Sequence, residues 1–188
     1  MRNIIEHTIV SLDGVFDGAA ISEKSENRHI PRFSPYRDEA YLLYELDQAL
    51  ACEALLIGRT TYEDFLTIWP GRTDPWSERI NAMPKYVFSS TLEKADWNNV
   101  TIVRGDVIAE ATRLKQQEGR DLLIYGHGLL AETLLKHHLL DVLDLSIHPL
   151  VLGQGEHLFR QGETAALKLV ATKSFSKGIV NLTYEPQY

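Results

Sequence analysis

Four short segments of this 188-residue chain bring together residue types that could do chemistry. In Ile57-Gly58-Arg59-Thr60-Thr61-Tyr62-Glu63, a glycine follows an apolar run and a guanidinium opens a helical pattern. Glycine lets the backbone pass close to a ligand, the free N–H groups of a helix start hold an anion, and arginine offers a planar fork for a phosphate. A structural account is also open, because Thr60 and Glu63 fit the S/T-x-x-E capping box, in which side chains satisfy those N–H groups. Tyr125-Gly126-His127-Gly128 has the strand–glycine–helix layout of a dinucleotide turn, with Ala131 in the last position of G-x-G-x-x-G/A. The acidic residue expected about 20 positions on has no fitting counterpart, since Asp144 falls in a strand. A tight turn into a helix is the plainer alternative. Ser89-Ser90-Thr91 could bond a ribose or its phosphate, or simply cap a turn. Asp13-Gly14 either aims a carboxylate at a substrate or only turns the chain. Asp38 and Glu39 near a helix start suit its macrodipole and cap.

The elements that must position these segments alternate in type. Asn3–Leu12 is a predicted strand, and Tyr36–Ala51 carries Ala40, Leu43, Asp47 and Leu50 at helical spacing, with Leu46 alongside. Ala54-Leu55-Leu56-Ile57, Tyr86-Val87-Phe88 and Leu122-Leu123-Ile124-Tyr125 are short continuous apolar runs, the pattern of strands covered on both faces. Helices are expected from Thr60, over Val107–Gln117 and after Gly128, where Leu130, Leu134 and Leu135 share a face. Val100–Val103 is a further strand. The alternation then stops: Val142–Leu152 reads as a long strand interrupted by Pro149, and Leu167–Phe175 with Ile179–Tyr184 as a hairpin turning at Ser176-Lys177-Gly178. Early βα alternation with late strands predicts an α/β fold, a mostly parallel mixed sheet with antiparallel strands at one edge. In such a sheet ligands bind beyond the carboxyl ends of the strands, which places Gly58, Ser89 and Gly126 on one rim. Asp17–Pro35 reads as a long loop before a helix, and loops of this length in compact domains are usually functional.

Composition narrows the classes. Nineteen Lys and Arg against 26 Asp and Glu give a net charge of −7, with no basic run, which argues against a nucleic-acid partner. Cys52 is the only cysteine, so an intramolecular disulfide, a cysteine-cluster metal site and a zinc deaminase centre are excluded. His137 and His138 are sequential, about 100° apart on a helix, and neither H-E-x-x-H nor G-x-S-x-G occurs. No metal is expected. Neither a secretory leader nor a membrane span is expected, and the cytoplasm is the default compartment.

Five motifs occur in a fixed order: Ser11-Leu12-Asp13-Gly14; Ile57 to Glu63; Met83-Pro84-Lys85-Tyr86-Val87-Phe88-Ser89; Gly126-His127-Gly128; and Pro149-Leu150-Val151-Leu152-Gly153-Gln154-Gly155 with Leu158-Phe159. The series resembles the dihydrofolate-reductase-like superfamily. Within it, the chain is most similar to the reductase domain of the riboflavin-biosynthesis deaminase–reductase (the RibD C-terminal type) and its stand-alone relatives. The resemblance implies a three-layer fold over 1–188 as a single domain, assembled as a homodimer and binding NADPH. It implies that Gly58, Arg59, Thr60 and Thr61, with Gly126, His127 and Gly128, hold the cofactor phosphates. It puts Ser89, Ser90 and Thr91 near the adenosine ribose and its 2′-phosphate, and Asp13 near the nicotinamide and substrate as the catalytic candidate. Two helix dipoles and Arg59 would concentrate positive potential inside an acidic protein, favouring NADPH over NADH.

The reaction implied is NADPH-dependent reduction of a small heterocyclic or ribosylamino-pyrimidine substrate, of the 5-amino-6-(5-phosphoribosylamino)uracil reductase type. The deaminase half is missing, and His127 stands where a small residue is common, able to crowd the pyrophosphate or donate to it. A pterin or dihydrofolate reductase is the alternative. Such enzymes hold the pterin with a carboxylate on the first helix, for which Asp38, Glu39 and Asp47 are the candidates. A non-catalytic nucleotide-binding dimer is the alternative of another class.

Overall fold

The computed structural model describes residues 1–16 and 30–188. Residues 17–29 of the expected Asp17–Pro35 loop lie outside the described residues. The rest of that stretch is a short helix α1 (Ile30–Phe33) and a 3-10 turn over Ser34–Tyr36.

Eight strands form one sheet: β1 (Ile4–Ser11), β2 (Cys52–Gly58), β3 (Lys85–Phe88), β4 (Val100–Val103), β5 (Asp121–Tyr125), β6 (Val142–His148), β7 (Ala166–Ser174) and β8 (Val180–Gln187). Their order is β4-β3-β2-β5-β1-β6-β8-β7. The first six pair in parallel, β8 runs antiparallel to β6, and β7 antiparallel to β8. The continuous apolar runs are buried as their pattern predicts: Ala54, Leu55, Leu56 and Ile57 on β2, and Leu122, Leu123 and Ile124 on β5. The helices are α2 (Glu39–Ala51), α3 (Arg59–Ile68), α4 (Pro75–Ala82), α5 (Val107–Gln116) and α6 (Leu129–Lys136). Ala111 and Leu114 of α5 and Ala131, Leu134 and Leu135 of α6 join the core on one face of the sheet. Ala49 of α2, Tyr62 and Phe65 of α3 and Ile80 of α4 join the core on the other.

Three local readings change. The helix expected from Tyr36 begins at Glu39, because the Asp38 side chain accepts from Tyr41 N and caps it there. Its inward stripe is Tyr41, Glu45 and Ala49, while Leu43 and Leu50 are 54% and 46% exposed. Tyr41 and Ala49 pack in apolar clusters, and between them Glu45 meets Arg37 and His7, so a carboxylate rather than a leucine faces the sheet. The strand expected to run to Leu152 ends at His148, one residue before Pro149. Helix α4, which apolar spacing does not announce, starts on Asp74-Pro75: Asp74 accepts from Ser77 N and proline takes the first helical position.

Candidate functional site

Strands β3, β2 and β5 lie side by side and parallel, so the turns after them share one rim. There they enclose a cleft of about 590 Å³ lined by Gly58, Arg59, Thr60, Thr61, Ser89, Ser90, Thr91, Gly126 and Gly128. Gly58 is the N-cap of α3 and Gly128 the N-cap of α6, and neither helix start has a side-chain cap. The capping box expected at Thr60 and Glu63 is therefore absent. With Gly58 at the N-cap, Thr60 lies inside the helix, and the Glu63 carboxylate accepts from Arg59 Nε at 2.7 Å instead. Two helix starts thus offer backbone N–H groups and the positive ends of their dipoles to the same space. Gly126 turns the chain with φ +79°, a region open to glycine and strained for other residues.

Arg59 reaches across the cleft floor and donates from Nη1 to Thr91 Oγ1 at 2.6 Å. Ser89 Oγ accepts from Thr91 N and Leu92 N, closing the hydroxyl turn beneath it. Arg104 and Arg160 line the same cleft. The cation is thereby held on the Thr91 hydroxyl at the end of the Ser89–Thr91 turn, an arrangement suited to a phosphate monoester on a sugar.

His127 departs from its expected place. Its side chain is buried and does not line the cleft; Nδ1 lies 2.9 Å from Glu6 Oε1, and Nε2 3.3 Å from Glu163 Oε1. Glu6, wholly buried on β1, also accepts from Thr8 Oγ1 at 2.7 Å. Burial alone would lower the His127 pKa, but the Glu6 bond and the charges of both carboxylates raise it. Histidine here anchors the glycine turn from behind. Asp13 also departs. Its carboxylate accepts from Ser11 Oγ (2.6 Å), Gly153 N (2.8 Å) and Leu152 N (3.1 Å), which hold it well below the usual carboxylate range. It lines neither the cleft nor the aromatic cavity that adjoins the cleft. These bonds tie two loops together, which is a turn-fixing role.

That second cavity, of about 130 Å³, opens off the cleft, and Phe16, Thr61, Tyr125 and Gly126 border both. Its walls are aromatic: Phe33, Phe65, Trp69, Trp76 and Tyr125. Trp69 and Trp76 pack at 4.6 Å between centroids, and Trp76 Nε1 donates to the Tyr125 hydroxyl at 3.2 Å. Its polar floor is His7, Arg37 and Glu45. Glu45 is 5% exposed and paired with the Arg37 guanidinium. Burial by itself raises the Glu45 pKa, but the neighbouring His7 and Arg37 bring it below the ordinary value, so it is a carboxylate at neutral pH. Among the described residues, three buried nitrogens of lining residues have no hydrogen-bond partner: His7 Nε2, Arg37 Nε and Trp69 Nε1. Buried polar atoms are normally satisfied, so a cavity lined by residues with such orphans suits a ligand carrying hydrogen-bond acceptors.

Sequence reasoning misses this second half of the site. Of the first-helix carboxylates considered, Asp38 caps α2, and Glu39 and Asp47 are exposed. The residue that faces the cavity is Glu45. The signal available was the i, i+4, i+8 series Tyr41, Glu45, Ala49, outweighed by the leucines beside it. Among the described residues no group of His, Cys, Asp or Glu could hold a metal ion, and no helix is long and apolar enough to cross a membrane.

The chain matches the RibD C-terminal domain over residues 2–181. It is 33% identical over 189 residues to the uncharacterized protein YyaP of Bacillus subtilis (strain 168), covering 97% of this chain and 94% of that one. Among solved structures it is similar to a candidate riboflavin biosynthesis protein from Shewanella sp. PV-4 (TM-score 0.70, 18% identity, 99% of each chain). It is also similar to dihydrofolate reductase from Enterococcus faecalis complexed with NADP(H) (TM-score 0.63, 15% identity, 99% of this chain and 97% of that one).

Proposed function

The chain belongs to the RibD C-terminal domain family and has a dihydrofolate-reductase-like fold, and from this premise we propose that it is an NADPH-dependent reductase of a small planar nitrogen heterocycle. One observation carries the reading. Two glycine-capped helix starts without side-chain caps face a single cleft, and that cleft leads into an aromatic cavity with a buried carboxylate at its floor. The starts of α3 and α6 are fitted to the cofactor pyrophosphate, and Arg59 with Ser89, Ser90 and Thr91 to the 2′-phosphate. When bound, the dihydronicotinamide supplies a hydride.

The chain's own residues do the rest. The aromatic walls exclude water and hold a flat ring. The cavity is close in size to the roughly 150 Å³ that accepts one benzene in an engineered core, so a single ring is what it encloses. Glu45 accepts hydrogen bonds from the N–H edge of that ring, and the unpartnered nitrogens suit its acceptor atoms. This matches a pyrimidine of the riboflavin-pathway type. A pterin or dihydrofolate is the second reading, favoured by one observation, the placement of Glu45 on the first long helix.

The test is a calorimetric titration of the protein with NADPH and, in parallel, NADH. Micromolar NADPH binding with much weaker NADH binding supports the reading and opens a substrate screen. Absence of binding to either makes the glycine turns purely structural.

A further inference from the structure

β1 places His7 in register with Tyr125 of β5 and Asp144 of β6, and Asp144 in turn pairs with Thr183 of β8. The four side chains form a row across the sheet beneath the cavity. Asp144 Oδ2 lies 2.7 Å from His7 Nδ1, while Oδ1 accepts from the Tyr44 hydroxyl (2.7 Å) and Thr183 Oγ1 (2.9 Å). Asp144 is 1% exposed and His7 2%. On its other side His7 Nε2 makes no hydrogen bond; it lies 3.8 Å from Glu45 Oε1, and His7 and Glu45 both line the cavity. The row therefore reads Asp144, His7, Glu45, ligand space. One ring nitrogen is anchored, and the other stands beside a carboxylate that faces the ligand.

We propose that His7 is the proton store for the reduction, held by Asp144 and discharged through Glu45 to the substrate. This rests on the reductase reading. Addition of a hydride to the carbon of a C=N bond leaves the nitrogen in need of one proton. The His7 Nε2–H proton moves onto the Glu45 carboxylate and from there to the nitrogen, so Glu45 ends as the carboxylate it was. The imidazole is left neutral and is recharged from water. His7 acts through Glu45 and so positions a proton rather than touching the reacting atoms.

The charges around the ring fit such a store. Facing His7 are Asp144 and His148 from β6, Tyr44 and Glu45 from α2, Tyr125 from β5 and, ahead of α2, Arg37. His148 is pushed down to about 4 by burial and is neutral, so it does not compete for the proton. Burial would also discharge His7, but the hydrogen bond to Asp144 and the charges of Asp144 and Glu45 carry it up to about 9. With Arg37 paired to Glu45, two carboxylates and two cations alternate in the order Asp144, His7, Glu45, Arg37, without net charge.

The experiment is an NMR titration of the imidazole nitrogens in protein labelled at histidine, the His7 signals being identified by their loss in His7→Gln. His7 is expected to stay doubly protonated through neutral pH and to titrate near pH 9, with Glu45→Gln lowering that midpoint by about one unit or more. Asp144→Asn should lower it further. Glu45→Gln keeps the shape of the side chain while removing its charge and its ion pair with Arg37, so the test does not depend on the Asp144 variant folding. A His7 ring that is neutral at pH 7, or a midpoint indifferent to Glu45→Gln, overturns the proposal. NADPH titration of the same samples separates the two failures: binding with a neutral His7 defeats the proton store alone, and absence of binding defeats the reductase reading with it.

Discussion

β1 carries a histidine–carboxylate group on each of its faces, and the two groups are built differently. Glu6 points to one side, where it meets His127; His7 points to the other, between Asp144 and Glu45. In the first group each nitrogen of His127 has a carboxylate at hydrogen-bond distance. It closes on itself and fixes the Gly126–Gly128 turn. In the second group one nitrogen of His7 is left without a hydrogen bond, in a cavity. The same residue pair closes on itself at His127, and at His7 it leaves one nitrogen without a partner beside a cavity. Satisfaction, rather than residue identity, separates structure from chemistry here.

The comparison can be broken most forcefully at its carboxylates. Asp144→Ala strips the acceptor from His7, Tyr44 and Thr183 at once, and Glu6→Ala strips it from His127 and Thr8. Each should cost about 3–5 kcal/mol in urea unfolding, the usual result of removing one partner of a buried pair. Next in size is Arg59→Ala, which removes the cation beside the hydroxyl turn. NADPH affinity should fall about 10- to 100-fold, the loss of a hydrogen bond to a charged group, and NADH affinity much less. Equal losses for both would take Arg59 away from the 2′-phosphate.

A pH series separates the two histidines further. His7 is raised in the folded protein, so its contribution to stability is complete below its ordinary value near 6.5 and is lost as pH rises through about 9. Glu45 and Asp144 are lowered, so theirs is present above the ordinary carboxylate range and lost in acid. Thermal melts of His7→Gln should show a flattened alkaline limb relative to the parent protein. His127→Ala, by contrast, should weaken NADPH affinity by loosening the glycine turn. The smallest effect is expected from Asp13→Asn. It loosens the contact with Leu152 and Gly153 and should leave NADPH binding unchanged, by calorimetry.

The cleft was legible in the sequence because its parts are local. Gly58, the Ser89–Thr91 turn and Gly126 each sit within a few residues of an apolar run, and parallel strands must bring their carboxyl ends to one rim. The cavity was not legible, because its floor is assembled from β1, α2 and the segment ahead of α2, and its walls from α3, α4 and β5. Glu45 was hidden among Leu42, Leu43, Leu46 and Leu50, whose apolar spacing pointed to the wrong face of the helix. The side-chain placement of Asp13 and His127 was hidden for a related reason. A motif shows that a residue is at the rim, but a partner more than a hundred residues away decides where its side chain goes. Leu152 and Gly153 take Asp13, and Glu6 takes His127.

The central claim is that a nucleotide spans the two glycine-capped helix starts and ends at the mouth of the aromatic cavity. A crystal structure of the protein grown with NADPH tests it most directly. The pyrophosphate is expected against the N-termini of α3 and α6, the 2′-phosphate on Arg59, and the nicotinamide where Thr61, Tyr125 and Gly126 border both spaces. A nucleotide bound elsewhere, or an empty cleft at saturating NADPH, would contradict it.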